Sequence, residues 1–338
     1  MSANRWLATG NFFTSYKEEQ RLFSTSLDRT IFIFFLAILF VWPFFFPLSN
    51  KYMLVIDNIL IAITAVIGLN ILTGFTGLIS IGHAAFVGVG AYTIASFSRV
   101  LGDTHVLITH AWPLLILIAG FMGAVFGAIV GLPALRLKHL YLAIATLSFQ
   151  MIFKVLRKEH YLFWYYVILI VIIIVSFLIR NLLRTRYGRC LIAVRDNDRA
   201  ADAMGIHPGF TKIYAFALAG FLAGLAGGLH AYLYRGVGLE SFTLHESITY
   251  LAMAIVGGLG TLNGSYWGPL ALQTLDLQVE SLAEQMGHIL PSGLNLATAF
   301  KPFSFGLLIV LFLMFEPRGT ANWWRIVKSY TKKWPYKY

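Results

Sequence analysis

The chain has 338 residues, of which 58% are hydrophobic and 12% charged, and its formal net charge is +11. A soluble domain has about 25% charged residues, so this composition excludes an ordinary soluble protein, and the long apolar runs exclude a disordered one. Because charges are so few, the basic excess indicates positive cytoplasmic loops of a membrane protein rather than nucleic-acid binding. The single cysteine, Cys190, excludes an intrachain disulfide.

Apolar runs long enough to cross a bilayer recur from residue 31 onward. A membrane-spanning helix needs about 20 apolar residues, and the two longest runs are each long enough for a pair of crossings. We therefore expect an all-α polytopic membrane protein with about ten transmembrane helices. The runs are 31–48, 58–98, 112–135, 140–153, 163–179, 214–232, 247–275 and 303–315.

Basic residues predict the orientation of the chain, because cytoplasmic loops carry an excess of Lys and Arg. They cluster after the fifth run and again in the C-terminal tail. Both regions are therefore assigned to the cytoplasm, and the expected number of crossings places the N-terminus there too. The resulting division is an N-terminal cytoplasmic segment (1–30), a transmembrane domain (31–316) with a cytoplasmic loop (180–212), and a basic cytoplasmic tail (317–338).

One short segment disagrees with this orientation. Lys154, Arg157 and Lys158 follow the run 140–153, which places them outside the cell. Either one crossing is assigned wrongly, or this loop is an exception to the rule on positive charge.

Two stretches contain too many glycines and polar residues for plain lipid-facing helices: residues 68–92 and 257–268. Non-helical backbone at membrane depth is tolerated only where it is buried in protein or lines an aqueous cavity. Interrupted segments at corresponding places in two halves of a chain indicate a translocation pathway. We expect an inverted five-plus-five repeat with these interrupted helices. The alternative is that the glycines only allow tight helix contacts.

Glycines repeat at four-residue spacing in the run 214–232, at Gly220, Gly224 and Gly228. Small residues at this spacing let two helices approach closely, so we expect a packing role for them.

Two ionisable side chains fall within apolar runs. Asp57 lies one turn beyond Met53, so an interfacial or structural role is expected, although an acid inside the membrane is a candidate functional residue. His83 lies in the first Gly-rich stretch, where it can hydrogen-bond a backbone carbonyl as a structural residue or meet a substrate.

The loop 186–206 contains the pattern of a short capped helix. Asp196 or Asp198 can cap a helix that runs through Ala200 to Met204, and Gly205 can end it. A stiff, exposed helix on a basic cytoplasmic loop is suited to dock a partner. The alternative is a solvated loop that only obeys the rule on positive charge.

Catalytic and metal-binding motifs are absent from the sequence. No Gly-x-x-x-x-Gly-Lys-Ser/Thr loop, no Gly-x-Ser-x-Gly elbow and no metal spacing of histidines occurs. The sequence therefore favours a non-catalytic subunit without metal or cofactor, whose energy comes from a partner or an ion gradient. An ATP-independent secondary transporter and a membrane-embedded enzyme are the alternatives.

Several stretches together resemble the permease subunit of branched-chain amino acid ABC importers, of the LivM type, which is similar to urea-importer permeases. These stretches occur in the family's order and span most of the chain from Asn58 to Gly319. They are residues 68–92, 135–147, 187–206, 257–264 and 315–319.

This resemblance implies a pore subunit of an importer for branched-chain or hydrophobic amino acids, with urea as the second choice of cargo. The implied partners are a second permease subunit, two cytosolic ATP-binding subunits and an extracytoplasmic substrate-binding protein, all at a bacterial inner membrane. The expected pathway residues are Asn70, Thr73, Gly74, Gly77, Ser80, His83 and Thr146. The expected ATPase-coupling residues are Asp198, Ala200, Ala201, Met204 and Gly205.

Overall fold

The computed structural model describes residues 26–45, 50–101, 111–134, 161–234, 237, 242–287, 306–307, 310, 314, 319–323 and 326. All regular structure within these ranges is helical. The predicted crossing 140–153 and most of 303–315 lie outside the described residues, as do Thr146 and the disagreeing basic segment. The helices are α1 (Ser26–Phe45), α2 (Asn50–Asn70), a π-helical turn (Ile71–Phe75), α3 (His83–Leu101), α4 (Trp112–Ala134), α5 (Tyr161–Leu182), α6 (Arg186–Asp196), α7 (Asp198–Ala203), α8 (Pro208–Tyr234), α9 (Leu244–Gly257) and α10 (Gly264–Gly287).

Four helical segments in the described residues are long and apolar enough to cross a membrane: Tyr52–Phe75, Trp112–Leu132, Leu162–Leu182 and Pro208–Tyr234. The predicted all-α, multi-pass membrane architecture is therefore confirmed. The long run 58–98 divides between α2 and α3, and the run 247–275 divides between α9 and α10. Each division falls in a Gly-rich stretch, because glycine weakens a helix and frees the backbone to turn.

Helix α8 packs against α4 with almost no side chain between the two backbones. A Cβ atom placed on Gly220 would lie 2.2 Å from the Gly123 carbonyl oxygen, and one on Gly224 would lie 2.4 Å from the Ala119 carbonyl oxygen. Gly228 is looser, with its nearest neighbour, the Ala119 Cβ, at 3.1 Å. Small residues are what permits this approach in a membrane, where packing rather than water drives helices together.

The other faces of α8 are also closely covered. A Cβ on Gly227 would lie 1.8 Å from the Val87 carbonyl oxygen of α3. On the α2 side, a Cβ on Gly68 would lie 2.9 Å from the Ala219 carbonyl oxygen. Helix α8 is thus the centre of the bundle.

The directions of α4, α5 and α8 follow from their contacts. Helix α4 runs antiparallel to α8, since Gly120 faces Leu225 whereas Gly131 faces Phe216. At the opposite end, Trp164 near the start of α5 lies 6.0 Å from Trp112 and 4.9 Å from Tyr232 between ring centroids. Helices α4 and α5 therefore run parallel, and both end on the side of the bundle where α6, α7 and the start of α8 lie.

Candidate functional site

The two Gly-rich stretches predicted from the sequence meet each other. Helix α2 ends at Asn70 and widens into the π-helical turn Ile71–Phe75, whose five residues are all buried. Facing this turn is the connection between α9 and α10, residues 258–263. Such π-helical turns are rare and frequently occur at functional sites.

Asn70 holds the two stretches together. Its Nδ2 atom donates to the Thr261 carbonyl oxygen at 2.7 Å and to Ser265 Oγ at 2.9 Å. Its Oδ1 atom accepts from the Gly260 N–H at 2.8 Å. Asn70 and Ser265 are buried, so these bonds replace contacts with water that the chain has lost. We call this contact the joint; it consists of Asn70, Gly74, Gly260, Thr261 and Ser265.

Two glycines make the joint possible. A Cβ on Gly74 would lie 2.2 Å from the Gly260 nitrogen and 1.9 Å from Asn70 Oδ1, so no side chain fits there. Gly260 has φ +74°, a conformation that residues with a Cβ rarely adopt. Both stretches are Gly-rich interruptions in the sequence, and in the structure they pack on each other.

The other predicted pathway residues of the first stretch lie along the same segment. Thr73 Oγ1 donates to the Leu78 carbonyl oxygen at 3.2 Å, so its hydroxyl is used within the chain. His83 Nε2 lies 3.0 Å from the Ala65 carbonyl oxygen. Ser80 Oγ and His83 Nδ1 are buried without a hydrogen-bond partner among the described residues.

Asp57 was expected to have an interfacial or a structural role, and its side chain lies inside the bundle. It is fully buried in α2, and neither carboxylate oxygen has a hydrogen-bond partner within the described part of the chain. The next residue, Asn58, donates to the Tyr234 hydroxyl at 2.6 Å. Sequence spacing placed Asp57 near a helix end, but it could not show that this face of α2 packs inward.

The predicted loop helix is present as α7, with a different N-cap. Asn197 Oδ1 accepts from the Arg199 N–H at 3.0 Å and the Ala200 N–H at 3.1 Å, so the proposed caps Asp196 and Asp198 were wrong. Asn197 is extended, at φ −161° and ψ 109°, as an N-cap requires. Asp198 instead lies in the first turn and pairs with Lys212.

Gly205 ends α7 through a Schellman motif. The Ile206 N–H donates to the Ala201 carbonyl oxygen at 3.0 Å, and the Gly205 N–H donates to the Asp202 carbonyl oxygen at 2.9 Å. Gly205 has φ +83°. Ala201 is buried against the protein, whereas the side chain of Met204 is 83% exposed. The result is a short, fixed helix that presents an apolar side chain.

One residue connects this loop to the joint, and the sequence analysis did not single it out. Arg195 Nη1 donates to the Gly74 carbonyl oxygen at 3.1 Å. In the sequence Arg195 is one basic residue of several in a cytoplasmic loop, and no spacing signal links it to a residue 121 positions away.

Comparison with known proteins identifies the class of this protein. Residues 53–167 and 152–313 match the family described as "Branched-chain amino acid transport system / permease component". The chain belongs to this family, and the resemblance found in the sequence is confirmed. No solved structure matches the chain.

Curated relatives are permease proteins as well. The high-affinity branched-chain amino acid transport system permease protein LivM of Escherichia coli K12 is 29% identical over an alignment of 286 residues that covers 70% of this chain. The chain thus spans 65% of the length of that relative. The inner membrane ABC transporter permease protein YjfF of the same organism is 25% identical over an alignment of 295 residues that covers 75% of this chain and 84% of YjfF. The autoinducer 2 import system permease protein LsrC of Klebsiella pneumoniae is 35% identical over 101 residues, 28% of this chain and 29% of LsrC.

Proposed function

We propose that the chain is the membrane-spanning permease subunit of an ATP-driven importer for branched-chain or other hydrophobic amino acids. Its family and its relatives named LivM support the class and the cargo. The observation that carries the coupling to a separate ATPase is α7. This helix is capped at both ends, and it exposes Met204 where a partner can bind it.

The proposed assembly contains a second permease subunit, two cytosolic ATP-binding subunits and an extracytoplasmic substrate-binding protein in a bacterial inner membrane. The coupling contact is formed by Asp198, Ala200, Ala201, Met204 and Gly205. Each partner shifts the equilibrium between outward- and inward-facing forms only by its differential affinity for them. This chain contributes the pore and catalyses no reaction itself.

The proposed pathway runs beside the joint, along Asn70, Thr73, Ser80, His83 and Thr146, with Gly74 and Gly77 leaving room. Ser80 Oγ and His83 Nδ1 support this, because both atoms are buried without a partner in the described residues and can offer a hydrogen bond to cargo. A branched-chain amino acid offers its ammonium and carboxylate groups for such hydrogen bonds beside its apolar side chain.

The proposed topology has about ten crossings in an inverted five-plus-five arrangement, each crossing about 20 residues long. The parallel directions of α4 and α5 support it, because α4 ends and α5 begins on opposite sides of the bundle. This supports a crossing at 140–153. The proposed domains are the cytoplasmic segment 1–30, the transmembrane domain 31–316 and the cytoplasmic tail 317–338.

The first test is purification of this chain from its native membrane in mild detergent through a tag on the chain. We expect an ATPase with a Walker motif and a second permease to be recovered with it. The recovered complex, with its binding protein, is then reconstituted in vesicles with ATP inside. We expect these vesicles to take up labelled leucine. Excess isoleucine should abolish this uptake, and excess urea should not. Recovery of the chain alone, with leucine uptake that needs no ATP, contradicts the proposal and favours a secondary transporter.

The role of α7 is tested by Gly205→Pro with Gly205→Asn as its matched control. Proline cannot adopt φ +83°, whereas asparagine tolerates this conformation at a helix end. We expect Gly205→Pro to abolish both substrate-stimulated ATP hydrolysis and uptake, and Gly205→Asn to retain most of both. Full activity of the proline variant argues against a coupling role for this helix.

A further inference from the structure

We propose that Arg195 is a positioning residue that links α7 to the joint, so that displacement of α7 by the ATPase moves the contact between the two interrupted helices. This inference rests on the proposed function. In it, the Arg195 side chain transmits movement of the cytoplasmic loop to the pathway. Arg195 touches neither nucleotide nor cargo in this role.

At the joint, the Arg195 side chain lies against both interrupted stretches. Its Nη1 atom donates to the Gly74 carbonyl oxygen at 3.1 Å. The same nitrogen would lie 3.2 Å from a Cβ placed on Gly260, across the joint. Its Cγ atom would lie 3.0 Å from a Cβ on Gly77, which has φ +74°. The guanidinium group therefore occupies the place where the first stretch, the second stretch and the loop meet.

At the loop, Arg195 is held in position by its neighbours in sequence. Its Nε atom donates to Asp196 Oδ1 at 3.0 Å, and its Nη2 atom lies 2.9 Å from the same oxygen. Arg195 belongs to the last turn of α6, and Asn197, two residues on, caps α7. Because only one residue separates Arg195 from the cap, α7 cannot move far without carrying the guanidinium group with it.

The planar guanidinium group suits this role because it presents several donors in fixed directions. One edge binds Asp196 while another nitrogen reaches Gly74, so the side chain cannot rotate freely between them. Lysine, with one ammonium group on a flexible stem, can make either contact but does not hold both in a fixed relation. Coupling of two sites through such a link acts equally in both directions.

The test uses the complete complex purified through this chain. A reporter cysteine replaces Leu259, which is 42% exposed and adjoins Gly260. The background carries Cys190→Ser, which removes the single native cysteine. The rate of maleimide labelling at position 259 is measured with and without ADP trapped by vanadate. The variants compared are Arg195→Gln, Arg195→Lys and the control Arg186→Gln, which removes the same charge from an exposed position at the start of α6.

We expect trapped nucleotide to change the labelling rate in the parent complex and in Arg186→Gln, and to leave it unchanged in Arg195→Gln. Uptake per ATP hydrolysed falls about tenfold in Arg195→Gln, as loss of a charged hydrogen bond predicts. Basal ATP hydrolysis of Arg195→Gln is retained. General misfolding would lower both uptake and ATP hydrolysis, so it does not produce this result. We expect Arg195→Lys to show a labelling change between those of the parent and Arg195→Gln. If Arg195→Gln does not assemble, Arg195→Lys is compared with the parent in its place.

Two outcomes overturn the link. One is that trapped nucleotide changes the labelling rate of Arg195→Gln as much as that of the parent. If Arg195→Gln does not assemble, the same comparison is made with Arg195→Lys. The other is a parent complex whose labelling does not respond to nucleotide at all, because the joint then does not move. Failure to recover an ATPase with the chain is a separate result, which rejects the proposed function instead.

Discussion

Asn70 has no spare donor in this structure. Both hydrogens of its amide are used by Thr261 and Ser265, and its carbonyl oxygen binds the Gly260 N–H. Removing the side chain leaves three partners without it, of which Ser265 is buried, and a buried polar group left unsatisfied costs about 1–3 kcal/mol. As a single side chain, Asn70 therefore contributes both to stability and to the relative position of two stretches that are 190 residues apart.

We predict that Asn70→Ala lowers the free energy of unfolding by about 2–3 kcal/mol, as expected for the loss of one buried and two partly buried hydrogen bonds. Thermal denaturation of the purified complex in detergent measures the loss. The control is Asn181→Ala, which removes the same side chain from an exposed position at the end of α5. Unchanged stability with abolished uptake contradicts the structural role and indicates direct contact of Asn70 with cargo.

At the scale of helices, the α4–α8 contact depends on the absence of side chains. A methyl group at Gly224 meets a backbone oxygen, which cannot move without displacing α4, whereas a methyl group at Gly228 meets another methyl group. Overpacking a tight contact costs about 1–3 kcal/mol, while replacing glycine with alanine within a helix gains about 1 kcal/mol. The sign of each substitution therefore depends on which term is larger at that position.

We predict that Gly224→Ala destabilises the chain by about 1–3 kcal/mol and that Gly228→Ala, one helical turn away, changes stability by less than about 0.5 kcal/mol. Both variants are compared by thermal denaturation under identical detergent conditions. Equal effects of the two substitutions, in either direction, contradict the register of α4 against α8 described here.

At the scale of the whole molecule, the proposed orientation in the membrane places α6, α7 and the joint on the cytoplasmic side. We predict that Met204→Cys in a Cys190→Ser chain, produced without the ATPase subunits that would cover it, reacts with a membrane-impermeant maleimide in inside-out vesicles and not in intact cells. Its 83% exposed side chain makes this position accessible from whichever side it faces. A cysteine at position 114 of α4, where Leu114 is 58% exposed on the bundle surface, serves as the control for lipid-facing positions. Labelling of position 204 in intact cells reverses the proposed topology.

Much of the architecture could be predicted from apolar runs alone, because the bilayer fixes the length and composition of a spanning helix. The breaks at the two Gly-rich stretches and the presence of α7 could also be predicted. The cap could not, because Asp196, Asn197 and Asp198 are all good N-caps and only the extended backbone at Asn197 distinguishes them.

Contacts between residues that are far apart in the chain could not be predicted from the sequence. The burial of Asp57 depends on which face of α2 packs inward, and short apolar runs do not specify this. The bond from Arg195 to Gly74 and the pairing of Gly220 with Gly123 join residues far apart in sequence. Such pairings depend on how the helices are arranged in three dimensions. A single sequence gives no local pattern from which this arrangement can be predicted.

The glycines of α8 also bear on how the protein enters the membrane. This helix has the lowest hydropathy of the four candidate spans, and each glycine disfavours a helix that has no partner. Its binding surfaces belong to α2, α3 and α4, which all precede it in the chain. During synthesis those surfaces are therefore made before α8 emerges, and α8 inserts into a bundle that already offers the contacts its own sequence lacks.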